Sequence, residues 1–456
     1  MAYQTVNPFN NQLIKEYPSH SDADIEVALR QADALYHSSW SKGSIDQRLS
    51  VLHKLADLLE SQQEELAKIA SREMGKLIAQ SRSEVQLCAQ IARYYADNAK
   101  QFLAPVKYQS ELGDAWVEHH PIGIIMAVEP WNFPYYQLMR VLAPNLAAGN
   151  PVMCKHASIV PQCADSFAHL VREAGAPEGA WTNLFISSDQ VSAIIADPRV
   201  QGAALTGSEK AGSAVAAQAA KHIKKATLEL GGNDVFIVLD DADIDKAVEV
   251  GVQARLANAG QVCTAAKRFI VHQDVSDQFL RKFTDAFQQV KMGDPLDEGT
   301  TLGPLSSKEA LDTLSQQVSE AVQKGAKLHF GGKPAKSEGN FFEPTILTNI
   351  TRDNPAYFEE FFGPVAQVYV VNNDEEVVRL ANDSHYGLGG AIFSRNIQRA
   401  KQMASRIETG MVYINWLTDT AAELPFGGVK RSGFGRELSD LGIKEFVNQK
   451  LVVVRQ

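Results

Sequence analysis

From Ile122 onward the chain alternates continuous apolar runs with helical stretches, and that alternation restricts the accessible folds more than any other feature. Residues 122–128 form one such run, a helical pattern covers 135–146, and a second run occupies 151–155. Another helix begins near Pro161, and further runs lie at 183–186 and 202–205. A strand that is apolar on both faces must be covered on both, which calls for a parallel sheet between helical layers. The expected class is α/β. Ligands of such sheets sit beyond the carboxyl ends of the strands, so the residues after each run are where chemistry is sought. Glu129, Pro130, Trp131, Asn132 and Phe133 follow the first run, and Lys155, His156, Ala157 and Ser158 the second. Thr206, Gly207 and Ser208 follow the run at 202–205, with Gly212 in the alanine-rich helix they open. A glycine turn into a helix amino terminus offers free N–H groups and the positive end of the helix dipole to phosphate oxygens.

Residues 21–102 read as helical, with Ser21 and Asp22 as cap candidates. Residues 111–120 turn to strands about Gly113, and a second α/β unit runs from Val235 to about residue 430. Its strands are expected near 236–239 and 269–271, and its helices at 244–256, 276–290 and 308–324. The tail at 451–455 is a lone strand that needs a partner, for which another subunit is one candidate. A length of 456 residues implies two or three domains. A net charge of −10 argues against nucleic-acid and anionic-membrane partners, which require a basic footprint. The amino-terminal residues lack a secretory pattern, and no apolar stretch approaches a membrane span. The four cysteines show neither metal-like nor disulfide-like spacing, so a reduced, cytoplasmic setting is expected. His119 and His120 are adjacent and point to opposite faces of a strand, which disfavours a metal site.

Two residues stand out chemically. Cys263 follows Gly260, Gln261 and Val262 on a turn between a helix and a strand, where a substrate can reach it. A free thiol already carries a few per cent thiolate at neutral pH, although an intracellular cysteine is more commonly a small buried apolar residue. Glu229 lies in an apolar run just before Gly231 and Gly232, where a carboxyl is either paired or has a raised pKa.

Taken in order, these segments resemble the aldehyde dehydrogenase superfamily over essentially the whole chain. The matching residues are Pro130 to Pro134, Lys155, Gly207 and Ser208 with Gly212, Glu229 to Gly232, Gly260 to Cys263, Glu360 to Pro364, and Pro425 to Gly428 with Lys430. The resemblance implies a dinucleotide-binding domain (1–102 and 122–231), a catalytic domain (232–437) and a small β oligomerisation element (103–121 and 438–456). It also implies a homodimer or homotetramer. Cys263 would attack an aldehyde, with the oxyanion held by the Asn132 amide and the Cys263 N–H. Hydride transfer would leave a thioester that water, activated by Glu229, hydrolyses. Trp131, Lys155, Ser158, Gly207, Ser208, Gly212, Leu230, Glu360 and Phe362 fall at cofactor positions. Many NAD-preferring members have a glutamate where Ser158 stands; a serine beside the Lys155 ammonium accepts a 2′-phosphate. NADP is therefore the expected cofactor, with NAD also usable.

Arg140 occupies a position that is an arginine in succinate-semialdehyde dehydrogenases, where it binds the substrate carboxylate, a task suited to guanidinium geometry. Thr420 stands where those enzymes often have a serine on the same carboxylate, and Phe133 and Phe426 are expected to line the substrate site. The human-type enzyme has a second arginine where Ala257 stands here, which leaves substrate length open. Ala265 replaces a second cysteine near the first, so no disulfide switch forms at that spacing. Oxidation of a semialdehyde, succinate semialdehyde foremost, is the expected activity. A general aliphatic or other ω-carboxy aldehyde dehydrogenase is the alternative, and a catalytically silent binding protein on the same fold the reading from another class. Presence of both Cys263 and Glu229 speaks against silence, and a cysteine hydrolase would need a histidine that the motifs lack.

Overall fold

A computed structural model describes residues 3–455; residues 1, 2 and 456, the outermost of the expected segments, lie outside the described residues. The alternating region forms a six-stranded sheet in the order Gly433–Phe434, Lys225–Glu229, Val200–Thr206, Ile124–Glu129, Val152–His156, Trp181–Asn183. It is parallel except at the Gly433–Phe434 edge. Along the Ile124–Glu129 strand, Ile125 and Ala127 pack into one core and Ile124 and Met126 into another, which is the two-sided burial the apolar run requires. The chain runs outward from Ile124–Glu129 to Trp181–Asn183, then returns to the other side at Val200–Thr206. That reversal opens a crevice at the carboxyl end of Ile124–Glu129. Register sets Val128 opposite Lys155 and Leu205, and Thr206 opposite Glu229. The expected sites therefore share one edge of one sheet.

The helix Pro134–Ala148 leaves this edge and is buried along its length, with Pro134 at its start and Gly149 capping its end. Its first free N–H groups are satisfied from another helix. Glu84, in Ile78–Phe102, accepts from Tyr135 N at 2.8 Å and Tyr136 N at 3.0 Å. Glu84 is ion-paired with the enclosed Lys76, whose Nζ lies 3.7 Å from the centroid of the Phe133 ring. The direction of this helix, and with it the setting of Asn132, Phe133 and Arg140, is thus fixed by a buried charge pair.

The second unit is a seven-stranded sheet ordered Lys327–Phe330, Thr345–Thr348, Val365–Val371, Arg268–His272, Val235–Val238, Gly390–Phe393, Tyr413–Ile414. Helix Ile244–Leu256 has the expected bounds, and Gln273–Gln288 and Lys308–Gln323 lie close to theirs. A third sheet pairs Val447–Val454 with Asp114–Pro121 and the latter with Val106–Tyr108. The tail strand therefore finds a partner within its own chain. The polar-alternating Asp114–Pro121 segment offers a full-length ladder that sequence distance concealed. A hairpin of Tyr3–Asn7 with Gln12–Tyr17 has no counterpart in the sequence reading. Its second strand is exposed at all but one position, so no apolar alternation announces it.

Candidate active site

The turn carrying Cys263 is built from unusual backbone. After helix Ile244–Leu256, Asn258, Ala259 and Gly260 take φ values of 51°, 54° and 77°, three left-handed residues in succession. A Cβ on Gly260 would come within 2.2 Å of Gly363 O, and the alanine conformation alone costs about 1–2 kcal/mol. A net of side chains holds the turn. Asn258 Nδ2 donates to Asn132 O at 2.8 Å and to Gln261 O at 3.3 Å. Arg255 reaches Gly260 O at 2.7 Å, and Gln261 Oε1 accepts from Ser306 N at 2.9 Å. Asn132 Nδ2 donates to Gln261 O at 3.1 Å, which brings the expected amide donor against the nucleophile's loop and leaves its second N–H for an incoming oxygen.

Cys263 lies at the junction of two cavities. One, of about 310 Å³, is lined by Trp131, Asn132, Thr206, Gly207, Ser208, Glu229, Leu230, Glu360 and Phe362 as well as Cys263. The other, of about 230 Å³, is lined by Phe133, Tyr136, Arg140, Thr420 and Phe426, again with Cys263. Residues from both sheets, far apart in sequence, thus flank one sulfur from two sides. Trp131 and Phe362 meet edge to face across the first cavity, their ring centroids 5.8 Å apart.

Burial pushes the Cys263 thiol up to about 12, against the opposing pull of Lys267 and Arg140. The sulfur is therefore a protonated thiol at neutral pH rather than the partly ionised one expected from the free amino acid, and its attack requires a proton acceptor. Glu229 is buried, and burial, reinforced by Glu437, raises its carboxyl well above the ordinary range while Arg140 opposes. Such a carboxyl is a stronger base when ionised. Its strand edge is closed by Gly433–Phe434, and Leu230 N donates to Ser432 O at 2.9 Å.

Arg140 is enclosed and already occupied. Its Nη2 donates to Thr206 Oγ1 at 2.9 Å, its Nη1 to the Tyr136 hydroxyl at 3.2 Å, and its Nε is ion-paired with Glu437. The guanidinium packs on two rings, 4.8 Å from the Phe426 centroid and 4.9 Å from that of Tyr136. It faces the second cavity, as expected, yet with an internal counter-ion that motif reading did not contain.

Lys155 and Ser158 lie beyond the first cavity along the same sheet edge, backed by the amino-terminal hairpin. The Lys155 ammonium donates to His156 O at 3.2 Å and sits 5.5 Å from the Tyr3 ring centroid, while Gln4 N donates to Ser158 O at 3.1 Å. Ser208 caps helix Glu209–Lys221 by accepting from Ala211 N, and Gly212 lies where the Leu230 side chain packs on that helix. Glu209, the acid in its first turn, is paired with Arg431 and does not confront an incoming phosphate uncompensated. A helix amino terminus, a nearby ammonium, an aromatic-lined cavity and the Glu360 carboxylate at its wall form a donor set that fits a phosphorylated dinucleotide. Glu437 and Lys267 are the site-forming residues that sequence reading missed. Glu437 joins the site through the Arg140 side chain and the Phe426 backbone, and Lys267 through the Cys263 carbonyl and the Glu360 carboxylate, and no spacing rule reveals either.

A model of the aldehyde dehydrogenase family matches residues 1–452. The succinate-semialdehyde dehydrogenase (NADP+) of Deinococcus radiodurans is 46% identical over 450 residues, covering 99% of this chain and 94% of that protein. A probable succinate-semialdehyde dehydrogenase (NADP+) of Synechocystis is 44% identical, covering 99% of each. The crystal structure of a succinic semialdehyde dehydrogenase from Streptococcus pyogenes in complex with NADP+ superposes with a TM-score of 0.99 at 48% identity, covering 100% of both chains. With a cysteine on a strained turn between two cavities, and this similarity along its whole length, the chain belongs to the aldehyde dehydrogenase family.

Proposed function

We propose that this protein oxidises succinate semialdehyde to succinate with NADP, through a cysteine-bound intermediate. The observation that carries the reading is the position of Cys263 at the meeting of a cofactor-side cavity and a cavity walled by Arg140. Names of relatives from Deinococcus and Synechocystis, and the NADP+ complex from Streptococcus, support the same substrate and cofactor.

The sulfur attacks the aldehyde carbon, and the thiol proton leaves to Glu229, directly or through water. The new oxyanion is held by the free N–H of the Asn132 amide and the Cys263 N–H; one such donor contributes about 2.7–4 kcal/mol in comparable sites. A nicotinamide bound in the first cavity would supply the hydride acceptor for the carbon held on Cys263. After that first proton has passed on to solvent, Glu229 takes a proton from water as it attacks the thioester and returns it to the departing sulfur, releasing the acid and restoring the thiol. Glu360 and Phe362 would seat the nicotinamide-side ribose, Trp131, Gly207, Ser208, Gly212 and Leu230 would line its approach, and Lys155 with Ser158 would receive the 2′-phosphate. Phe133, Thr420 and Phe426 would enclose the carbon chain, with Arg140 and Thr420 on the substrate carboxylate.

The six-stranded unit would serve as the dinucleotide-binding domain and the seven-stranded unit as the catalytic one. A homodimer or homotetramer is supported by the third sheet, whose outer strand Val447–Val454 exposes Leu451, Val453 and Val454. Among the described residues no helix is long and apolar enough to cross a membrane, and the four cysteines are free, which agrees with a cytoplasmic location. A second reading, a general aliphatic or other ω-carboxy aldehyde dehydrogenase, draws support from the Arg140–Glu437 pair, which already neutralises the presumed anchor. Ala257 also lines both the Arg140 cavity and an outer chamber of about 510 Å³, leaving room for a longer chain. Steady-state oxidation of a panel of neutral and ω-carboxy aldehydes, each with NADP and NAD, separates the two. Highest kcat/KM for the four-carbon semialdehyde with NADP is expected; equal turnover of a neutral aldehyde of the same length would refute the first reading.

A further inference from the structure

Lys267 lies four residues beyond Cys263, and its side chain is fully enclosed. A buried ammonium is unfavourable unless its N–H groups find acceptors. Here three acceptors surround it: Val262 O at 2.9 Å, Cys263 O at 2.5 Å and Glu360 Oε1 at 2.9 Å. The same Glu360 oxygen accepts the Gly232 N–H at 3.2 Å. Gly232 presses so closely on the nucleophile's peptide that a Cβ there would come within 2.6 Å of Cys263 O. Backbone anchoring completes the arrangement, Lys267 N donating to Asp234 O at 3.1 Å. One charge therefore joins the Cys263 peptide, the glycine pair after Glu229, and a carboxylate on the wall of the cofactor-side cavity.

We propose that Lys267 is a positioning residue that transmits the state of Glu360 to Cys263. While Glu360 holds the ammonium, much of its positive charge is neutralised. A group that engages the carboxylate from the cavity leaves more of that charge on the Cys263 peptide, where it favours thiolate. The identity of that group as a ribose rests on the dehydrogenase reading; the Lys267–Glu360–Cys263 linkage does not. Among the charges that act on the thiol, Lys267 and Arg140 favour its ionised form, while Glu360 and Asp234 disfavour it, and Glu229 lines the same cavity. Arg255, which feels Glu360 and Asp234, and Arg268, which feels Asp234, complete the charged surroundings of the linkage.

The test is the pH dependence of Cys263 alkylation by iodoacetamide in the full-length, cofactor-free protein, read by peptide mapping. Cys88, Cys154 and Cys163 are buried, so Cys263 is the thiol within reach. Lys267→Met is expected to slow alkylation about ten-fold near neutral pH, with the profile displaced to the alkaline side by about one unit. Glu360→Gln is expected to move the profile the opposite way, and Lys267→Arg, which keeps the charge, to stay near the parent. A purely structural lysine would lower thermal stability and leave the midpoint in place. Unmoved midpoints in Lys267→Met and Glu360→Gln, or an alkaline shift in the latter, overturn the proposal. If Lys267→Met does not fold, the direction of the Glu360→Gln shift decides alone. Failure to oxidise any aldehyde would remove the dehydrogenase reading and leave the alkylation result standing.

Discussion

Asn258 donates its side-chain amide to the backbone carbonyl of Asn132 at 2.8 Å, across 126 residues of sequence. Through this bond the loop of the nucleophile, from one sheet, is fastened to the oxyanion donor, from the other. Asn258 is also left-handed, with φ of 51°, a conformation that asparagine tolerates and alanine resists. Asn258→Gly keeps the backbone and removes the bridge, whereas Asn258→Ala loses both. Each is expected to lower kcat about ten-fold with little change in KM, since each lost hydrogen bond is worth about 1 kcal/mol. In denaturant unfolding the alanine variant should lose about 1–2 kcal/mol more stability than the glycine variant. Unchanged kcat in both would show that the bridge does not set the Asn132 amide.

The Arg140–Glu437 pair makes a simple arginine deletion ambiguous. Arg140 lowers the pKa of Glu229 while Glu437 raises it. Arg140→Met should therefore push Glu229 further up and shift the rise of kcat/KM with pH to the alkaline side for every substrate. Against that common shift, the semialdehyde should lose an additional factor of about 10–100 relative to a neutral aldehyde of equal length, the worth of a charge-assisted hydrogen bond. In Arg140→Met/Glu437→Gln the pH shift should shrink and the substrate-specific loss persist. Steady-state profiles for both substrates decide it; identical losses mean that Arg140 serves Glu229 and not the substrate.

Much of this arrangement could be read before any coordinates. Apolar runs buried on both faces gave away the parallel sheet, and their carboxyl ends held Asn132, Lys155, Gly207 and Glu229. What escaped has a common physical character. Glu437 acts on Arg140, and Lys267 acts on Glu360, through packing between elements distant in sequence, so no local period encodes either. The Tyr3–Asn7 strand escaped because it is defined by the partners it finds: Thr5 bonds to Glu73, and Tyr3 supports Lys155. Free-cysteine acidity likewise leaves out burial, which pushes the Cys263 thiol up to about 12.

Cofactor choice should reside in Ser158 and Lys155. A carboxylate at position 158 would stand against a 2′-phosphate, and the Lys155 ammonium would then pair with it. Ser158→Glu is expected to cut kcat/KM with NADP by about 100-fold and to change NAD-dependent turnover little, as like-charge juxtaposition costs several kcal/mol. Lys155→Ala should weaken NADP selectively by about 10-fold or more. The ratio of kcat/KM for the two dinucleotides measures both. A Ser158→Glu variant that still prefers NADP would move the determinant elsewhere.

Glu129 offers a stability test with a defined sign. It is buried at the strand end with Glu437 nearby, and burial first, then Glu437, raises its carboxyl well above the ordinary range. In the unfolded chain the same acid ionises normally, so the folded protein retains a proton that the unfolded one gives up. The contribution of Glu129 to stability is therefore fully present at acid pH and declines as pH rises through the raised pKa, by about 1.4 kcal/mol for each unit of displacement. Glu129→Gln removes the group that titrates. Relative to the parent, the variant should gain stability near pH 8 and much less near pH 5. Urea unfolding at the two pH values measures the difference. An equal effect at both, or a variant weakened more at alkaline pH, would mean that Arg140 holds Glu129 ionised in the folded protein.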